Sequence, residues 1–350
     1  MTSSSACGTS QPAATFSSHQ RISNQRSLDM KMQTIGVVGL GLLGRGIAGC
    51  LLAHGLRVIA FDRSAQELAA ARVEIARAID ELIAHDVIPT SVREDWPHRF
   101  TEASTLDDLA ACNFVIESIT ESVESKSALY VLLEDILPPT TPIASNTSAL
   151  PISSLQRGLR YPERIVGMHW AEPAHATRFL ELIRGEATSD ATLEAASQLA
   201  LLLSKDPCIV QQDIPGFIAN RLGYALYREA CNLLATGVAD AETIDRSFRN
   251  SVGLWASVCG PLRWIDLTGG PALYGKAMQG VLPTLSNATE VPEPLATMMA
   301  SGLTGVRDGQ GFHTYTSEDA HRWEQIYREQ VWRVHAVAEE VFPLHKDEPA

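Results

Sequence analysis

A glycine-rich turn after a short apolar segment constrains the fold of this chain more than any other feature. Residues 35–38 form an apolar run typical of a buried parallel strand, and Gly39, Gly41 and Gly44 follow it in the pattern G-x-G-x-x-G. Gly39 permits a tight turn, Gly41 lets a pyrophosphate approach the backbone, and Gly44 allows the next helix to pack closely. The N-terminus of that helix offers free N–H groups to phosphates. The sequence therefore predicts a dinucleotide-binding fold.

An acidic residue after the second predicted strand indicates which dinucleotide binds. The apolar run 56–61 predicts this strand, and Asp62 stands at its end, near the spacing expected for a ribose-binding acid. A carboxylate there accepts hydrogen bonds from the adenosine ribose and repels a 2′-phosphate, which favours NAD over NADP. Leu42 and Leu43, inside the glycine loop, complete the predicted cofactor contacts around the turn.

Composition and charge exclude several other function classes. The net charge of -13 argues against a nucleic-acid partner, because such affinity comes largely from Lys and Arg on phosphates. The longest apolar runs are too short to cross a bilayer, so we expect no membrane partner. The six cysteines form no C-x-x-C motif and have no nearby His pair, so we expect neither a metal site nor a disulfide. A reducing cytoplasm fits this cysteine usage.

The pattern along the chain predicts two domains with an extension at each end. Strands alternating with helices over residues 32–212 predict a Rossmann-type α/β domain, with a mostly parallel sheet covered on both faces. Residues 213–316 read as an all-helical domain, and 317–350 as a terminal helix and tail. Residues 1–31 are rich in Ser, Thr and Gln, so we expect a disordered extension. A transit peptide and a start codon placed too early are the alternatives for this segment.

A histidine and a glutamate on neighbouring predicted strands form the candidate catalytic pair. His169 ends one strand, where it can take the proton of a substrate hydroxyl. Glu181 shares a face with the apolar Phe179 and Ile183, and a carboxylate in such surroundings is costly without a partner. A carboxylate on one ring nitrogen of His169 would fix the tautomer and stabilise the imidazolium. An exposed edge strand is the alternative interpretation of Glu181.

Two further polar residues are candidates for holding the substrate. Ser148 follows the predicted strand 141–145 and can donate a hydrogen bond to a substrate oxygen. Asn220 falls inside a helix predicted over 215–234, where asparagine is intrinsically disfavoured, and Gly223 beside it would leave room for a ligand. From residue chemistry alone, either residue could equally be a cap or a solvated surface group.

The order and spacing of these motifs resemble a known enzyme family. Residues 33–315 resemble the L-3-hydroxyacyl-CoA dehydrogenases, including bacterial 3-hydroxybutyryl-CoA dehydrogenases. The matching segments are 39–48, 115–121 with Lys126, 145–150, 167–169, 179–183, 213–221, Gly260-Pro261 and 309–312. Together these segments are far more specific than the glycine loop alone.

The resemblance implies a reaction and a role for each matching residue. The reaction is the NAD-dependent oxidation of a 3-hydroxyacyl thioester to the 3-ketoacyl thioester. His169 would be the general base paired with Glu181, and Ser148 and Asn220 would hold the reacting oxygen and the thioester carbonyl. The further cofactor contacts implied by the family are Glu121, Lys126, Ser148 and Arg307. The family also implies a homodimer formed through the helical domain.

The chain departs from the family pattern where the CoA handle and the substrate would bind. Glu172 replaces an amide shortly after the catalytic histidine, and an ionised carboxylate there would disfavour an anionic headgroup. The family's Ser and Lys contacts to the CoA nucleotide align with Ala78 and His85, which removes favourable charge for the 3′-phosphate. The alternatives to a CoA thioester are a free 3-hydroxy acid or another small hydroxylated molecule. A non-catalytic NAD-binding relative is the third, although such a protein would not need His169 and Glu181.

Overall fold

One eight-stranded sheet dominates the computed structural model, which describes residues 34–344. The extension predicted to be disordered, residues 1–31, lies outside the described residues. The strands are β1 (Thr34–Val38), β2 (Arg57–Phe61), β3 (Phe100–Glu102), β4 (Phe114–Glu117), β5 (Ile143–Ser145), β6 (Ile165–Trp170), β7 (Phe179–Ile183) and β8 (Asp206–Val210). Their order is β3-β2-β1-β4-β5-β6-β7-β8, and every pair is parallel except β6 and β7. The predicted Rossmann-type fold is confirmed.

Helices cover both faces of this sheet. They are α1 (Leu42–Ala53), α2 (Ala65–Ala84), α3 (Val92–Asp95), α4 (Val123–Ile136), α5 (Ile152–Gln156) and α6 (Asp190–Leu202), with 3₁₀ turns at Trp96–His98, Leu106–Ala111 and Pro162–Arg164. One apolar cluster joins α1, α2 and α6 to the sheet, and a second joins α4 and α5 to the opposite face. Strands β1, β4 and β5 are parallel neighbours, so their carboxyl ends lie at the same edge of the sheet.

Helices joined by loops make up the rest of the described chain after β8. They form α7 (Ala219–Ala235), α8 (Ala241–Asn250), α9 (Val252–Ala256), α10 (Pro261–Thr268), α11 (Gly270–Val281), α12 (Glu293–Ala300) and α13 (Ser317–Val341), with 3₁₀ turns at Leu282–Thr284 and Val306–Asp308. No helix between residues 34 and 344 is both long enough and apolar enough to cross a membrane.

The first of these helices begins later than the sequence pattern predicts. The prediction placed its start at residue 215, but α7 begins at Ala219. Gly216 and Phe217 have φ angles of +78° and +51°, a left-handed conformation that interrupts the right-handed helix. Asn220 is therefore in the first turn of α7 rather than in the helix interior, so helix propensity does not make it unusual.

Helix α13 returns to the sheet domain and packs against α2. Within α13, all of which is described, Trp332 alone is buried, and it belongs to the same apolar cluster as α1 and α2. The helix starts with a capping box in which Thr316 and Asp319 satisfy each other's backbone N–H groups. The C-terminal helix therefore forms part of the surface of the Rossmann domain.

Candidate active site

The glycine loop has the geometry that a dinucleotide requires. Gly39 has a φ of +91°, and a Cβ built on it would lie 2.6 Å from the carbonyl oxygen of Ser118. A Cβ on Gly44 would lie 1.9 Å from the carbonyl oxygen of Gly39, so both positions exclude a side chain. A Cβ on Gly41 would meet nothing within 4 Å, which leaves open space above the start of α1. Leu42, half exposed, and Leu43 border that space, which fits a pyrophosphate.

Asp62 stands at the carboxyl end of β2 and is held by the glycine loop. Its Oδ2 accepts a hydrogen bond from the backbone N–H of Leu40 at 2.7 Å, and its Oδ1 accepts one from the N–H of Ser64 at 2.8 Å. Each carboxylate oxygen keeps a lone pair for a further donor. The position and the acceptor chemistry both fit the ribose of NAD.

His169 and Glu181 are directly opposite each other on the antiparallel pair β6 and β7. The imidazole Nδ1 lies 2.8 Å from Oε2 of Glu181, and both side chains are buried. Strand β7 lies between β6 and β8, so the alternative that Glu181 sits on an exposed edge strand is wrong. The rings of Phe179 and Phe217 flank the imidazole, with centroids 5.6 and 5.8 Å away. The site therefore holds one orientation of His169.

The second oxygen of Glu181 bonds to the start of α7. Its Oε1 accepts hydrogen bonds from the N–H groups of Ile218 at 3.1 Å and Ala219 at 2.9 Å. Burial alone would raise the pKa of Glu181, but the hydrogen bonds from His169 and from these two N–H groups outweigh it and lower the pKa. Glu181 is therefore ionised at neutral pH. An ionised carboxylate only accepts hydrogen bonds, so the hydrogen lies on Nδ1 of His169.

Ser148 and Asn220 meet at the same end of the sheet. The Asn220 side-chain amide donates to the carbonyl oxygen of Ser148 at 2.7 Å. Glu121 holds the turn that carries Thr147 and Ser148. Its Oε1 accepts hydrogen bonds from the N–H of Ser148 at 2.9 Å and from the hydroxyl of Thr147 at 2.7 Å. The hydroxyl of Ser148 and the Oδ1 of Asn220 have no partner among residues 34–344. Both oxygens are available to a substrate.

Lys126 points into the protein and is held by carboxylates. It is fully buried, and its Nζ lies 2.6 Å from Oε1 of Glu117 and 3.6 Å from Oε2 of Glu121. Glu117 also accepts from the hydroxyls of Tyr130 at 2.7 Å and Ser145 at 2.8 Å. The structure thus places Lys126 behind the turn that carries Ser148. Glu117 is not among the residues predicted from the sequence. Its position as a carboxylate at the end of the apolar strand 114–117 is the feature that could have indicated a buried polar site.

Arg307 does not reach the other candidates within this chain. It lies in the 3₁₀ turn Val306–Asp308, in the helical part of the protein. No hydrogen bond or ion pair joins it to the Rossmann domain in the part of the chain that the structure describes. Its predicted contact with the cofactor stays a prediction.

The loop after His169 is fixed by side chains from outside it. The fully buried Lys205 donates to the carbonyl oxygens of Ala174 and Thr177, at 2.5 Å each. From α13, the hydroxyl of Tyr327 donates to the carbonyl oxygen of Glu172 at 2.8 Å, and Nδ1 of His335 lies 3.0 Å from the carbonyl oxygen of Ala176. The backbone of residues 172–177 is therefore held in one conformation.

Glu172 itself faces α1 and not the reacting atoms. Its Oε2 is buried without a hydrogen-bond partner among the described residues, near the position that a Cβ on Gly46 would occupy. Burial raises the pKa of Glu172, and the charges of His175 and Arg328 oppose that rise only in part. The predicted repulsion of an anionic headgroup by Glu172 therefore stays a prediction, because Oε2 points toward α1.

Helix α13 covers the face of α2 on which the aligned CoA contacts would lie. The ring of His85 stacks on Trp332, with centroids 4.1 Å apart and an interplanar angle of 15°. Glu81 on α2 connects to both the loop after β6 and α13, because its carboxylate lies 2.8 Å from Nε2 of His175 and bonds to the guanidinium of Arg328. Ala78 is buried. Trp332 thus covers one face of the His85 ring, which otherwise remains exposed, and α13 occupies the surface beside Glu81.

Comparison with known proteins identifies relatives along nearly all of the described chain. The profile of the 3-hydroxyacyl-CoA dehydrogenase NAD binding domain matches residues 34–214, and that of the 3-hydroxyacyl-CoA dehydrogenase C-terminal domain matches residues 216–315. The 5-formyl-3-hydroxy-2-methylpyridine 4-carboxylate 5-dehydrogenase of Mesorhizobium japonicum is 32% identical over 287 residues, covering 82% of this chain and 92% of that protein. A 3-hydroxybutyryl-CoA dehydrogenase of Bradyrhizobium diazoefficiens is 32% identical over 285 residues, covering 81% and 96%.

Solved structures give the same two kinds of relative. A 5-formyl-3-hydroxy-2-methylpyridine 4-carboxylic acid 5-dehydrogenase, described as an NAD⁺-dependent dismutase, superimposes with a TM-score of 0.80 at 30% identity, covering 89% of this chain and 98% of that one. The (S)-3-hydroxybutyryl-CoA dehydrogenase of Ralstonia eutropha superimposes with a TM-score of 0.68 at 30% identity, covering 81% and 99%.

Proposed function

The chain belongs to the 3-hydroxyacyl-CoA dehydrogenase family and is an NAD-dependent oxidoreductase, and from this premise we propose that its substrate is a small hydroxylated molecule without a CoA handle. We propose further that His169 and Glu181 act together as the general base. The observation that carries the choice of substrate is the docking of α13 over α2, where His85 stacks on Trp332.

The overall similarity of the relatives supports this choice. The pyridine dehydrogenase, whose name contains no thioester, superimposes with a TM-score of 0.80, whereas the Ralstonia 3-hydroxybutyryl-CoA dehydrogenase superimposes with a TM-score of 0.68. The C-terminal domain profile of the family ends at residue 315, and α13 begins at Ser317, so α13 lies outside the residues that the family profiles match.

The proposed chemistry follows from the atoms of the pair. Bound NAD supplies the acceptor for the hydride that leaves the substrate carbon. Because Nδ1 of His169 carries its hydrogen toward Glu181, Nε2 keeps a lone pair that can take the proton of the substrate hydroxyl. Glu181 then stabilises the imidazolium across the 2.8 Å hydrogen bond. In the reverse direction, the same imidazolium returns the proton to the carbonyl oxygen.

The substrate oxygen has one further direct partner in this proposal, and two residues position that partner. The hydroxyl of Ser148 can donate to it, and the Asn220 side chain, which already holds the Ser148 carbonyl, fixes the distance between the two elements. Glu121 keeps the Ser148 turn in place through its N–H. Ser148 thus acts on the reacting oxygen, while Glu121 and Asn220 position it.

The proposal is tested by NADH consumption with three carbonyl compounds at equal concentration. These are acetoacetate, 5-formyl-3-hydroxy-2-methylpyridine 4-carboxylate and acetoacetyl-CoA. We expect kcat/KM for at least one free acid to exceed that for the thioester by about tenfold or more, because α13 denies the nucleotide its binding face. A preference for acetoacetyl-CoA would overturn the proposal. The variant His169→Gln serves as the control for background NADH oxidation.

We also propose that the helical residues 213–316 form a dimerisation domain, separate from the cofactor domain at 32–212. In one copy of the chain, helices α8 to α12 contain no buried residue. Leu262, Leu267 and Leu273 on α10 and α11 are 78%, 68% and 57% exposed, an unusual amount of apolar surface for an isolated domain. A second copy of this chain would cover these side chains.

The mass in solution tests the dimer. We expect light scattering to give twice the chain mass for the wild type and the single chain mass for Leu262→Asp combined with Leu267→Asp. Leu132→Asp, at a 52% exposed position on α4, is the matched control and should leave the mass doubled. A wild-type protein that runs as a monomer at micromolar concentration would contradict the proposal.

A further inference from the structure

The entry to α7 contacts every residue of the proposed reacting centre. Phe217 packs its buried ring against His169, with centroids 5.8 Å apart. Ile218 and Ala219 donate their N–H groups to Glu181, and Asn220 donates to the carbonyl oxygen of Ser148. A single turn of the helical domain therefore touches all three elements that carry the pair and the serine.

The two N–H groups on Glu181 belong to the helix terminus. The first N–H groups of a helix lack partners within the helix, and they lie at the positive end of its dipole. In α7 no side chain of its own caps this end, and Glu181 takes that place from β7, in the other domain. The same carboxylate thus caps α7 with Oε1 and holds His169 with Oε2.

The backbone conformation that aims these N–H groups is a strained one. Phe217 has a φ of +51°, in the left-handed region that is unfavourable for a non-glycine residue. Glycine at position 217 would avoid that strain, as Gly216 does with its φ of +78°. The ring of Phe217 is 1% exposed, so its packing beside the imidazole stabilises the turn against the strain.

We infer that residues 216–220 are a positioning element that tunes the His169–Glu181 pair, so that the pair is a competent base only while α7 is docked on Glu181. This inference rests on the proposed role of the pair. With α7 docked, the two N–H groups donate hydrogen bonds to Glu181 and stabilise its negative charge. The carboxylate therefore attracts the imidazolium of His169 less strongly. With α7 withdrawn, Glu181 would lose both N–H donors, and its full negative charge would act on the imidazole alone. The other titratable group facing Glu181 among the described residues is the thiol of Cys208 on β8.

The test removes one N–H group without changing a side chain. Replacing the amide of Ala219 by an ester, with lactic acid in place of alanine, deletes the donor at 2.9 Å and leaves the chain otherwise intact. We expect kcat to fall about tenfold with the acid limb of the pH–kcat profile moved to higher pH, and KM for NAD to stay unchanged. The same ester at Ala241, the first residue of α8, is the control and should change neither value.

A second readout needs no turnover. The low-field proton resonance of the Nδ1–H of His169 reports its hydrogen bond to Glu181, and we expect the ester at Ala219, but not that at Ala241, to shift it. Unchanged kcat, pH profile and resonance, or equal losses with both esters, would overturn the inference. Because variants are compared on one substrate, the outcome does not depend on whether that substrate is a thioester. If His169→Gln keeps full activity, the proposed base has failed instead.

Discussion

The site around His169 and the outer face of α2 lie on the same Rossmann domain and use their polar residues in opposite ways. Around His169, the buried carboxylate of Glu181 is satisfied by protein donors, while the hydroxyl of Ser148 is left for a ligand. On the outer face of α2, Glu81 is bonded to His175 of the loop and to Arg328 of α13, and His85 after the helix stacks on Trp332. The first site therefore leaves a polar group for a ligand, whereas the second is occupied by contacts within the protein.

This difference separates what the sheet determines from what the C-terminal helix adds. The pair on β6 and β7 depends on strand register, which the fold fixes. The outer face of α2 depends on contacts with α13, a helix that lies beyond the residues matched by the family's C-terminal profile. The proposed base and the surface proposed to select the substrate thus have different structural origins.

The largest predicted effect is the loss of turnover when the proposed base is removed. His169→Gln removes the base and should lower kcat by about 10³-fold, within the range that general-base catalysis contributes. NADH binding, followed by fluorescence, should be unchanged, because the glycine loop and Asp62 are remote from the substitution. The exposed His98 offers a control, since His98→Gln should leave kcat unaltered. Near-normal turnover by His169→Gln would show that the pair is not the base.

The next largest effect concerns the stability that α13 gains by packing Trp332 against the Rossmann domain. Trp332→Ala removes the one buried side chain of α13 and should lower the free energy of unfolding by about 3 kcal/mol. The matched control is Trp323→Ala on the same helix, where the side chain is 52% exposed and the change should stay within about 0.5 kcal/mol. Urea denaturation measures both values. Equal effects from the two substitutions would mean that α13 does not dock through Trp332.

A smaller effect distinguishes the carboxylates of Glu181 and Glu172 by pH. The lowered pKa of Glu181 in the folded state means that its ionised form contributes stability above the ordinary value of 4.5, and that this contribution is lost as the pH falls through the folded pKa. Glu181→Gln should therefore be less stable than the wild type at pH 7, and the difference should shrink in acid. Denaturation midpoints at pH 7 and at about pH 4 check this. A difference that is constant with pH would contradict it.

Glu172 should respond with the opposite sign. Its raised pKa means that ionising it costs stability above the ordinary value of 4.5, and that this cost disappears once it is protonated. The free energy of unfolding of Glu172→Gln should exceed that of the wild type by about 0.5 kcal/mol at neutral pH. The value is small because the side chain is only partly buried and solvent screens its charge. The same denaturation series measures it. A loss of stability at neutral pH would show that Glu172 has a partner when ionised.

The smallest effect is expected from restoring a charge at position 85. His85→Lys places an ammonium where the family pattern has one, yet Trp332 still packs against that position and Arg328 already occupies Glu81 beside it. The affinity for acetoacetyl-CoA should therefore change by less than about twofold. An isothermal titration of the variant beside the wild type checks this. A tenfold gain would mean that the missing lysine, and not α13, excludes the handle.

Much of the fold could be predicted because its signals are local. The strand that precedes Gly39, the helix over Ala65–Ala84 and the apolar strand around Glu181 follow from periodicity, and the structure has them within a residue or two. The contact between His169 and Glu181 follows as well, since neighbouring strands with side chains on one face place them together.

The rest depends on contacts that are distant in sequence. Nothing near Trp332 predicts that it stacks on His85, because the two residues are far apart in the chain and meet only through the tertiary fold. The left-handed conformation of Phe217 is imposed by its packing on His169, which no propensity of phenylalanine suggests. The late start of α7, and with it the cap on Glu181, was missed for that reason.

The most direct test of the proposed substrate class is the binding of CoA itself. Coenzyme A is titrated into the wild-type protein saturated with NADH, with dephospho-CoA as the matched ligand that lacks the 3′-phosphate. We expect no saturable binding of either ligand up to about 1 mM, because α13 packs beside the positions where the family binds the nucleotide. A micromolar Kd for CoA that weakens when the 3′-phosphate is absent would contradict it.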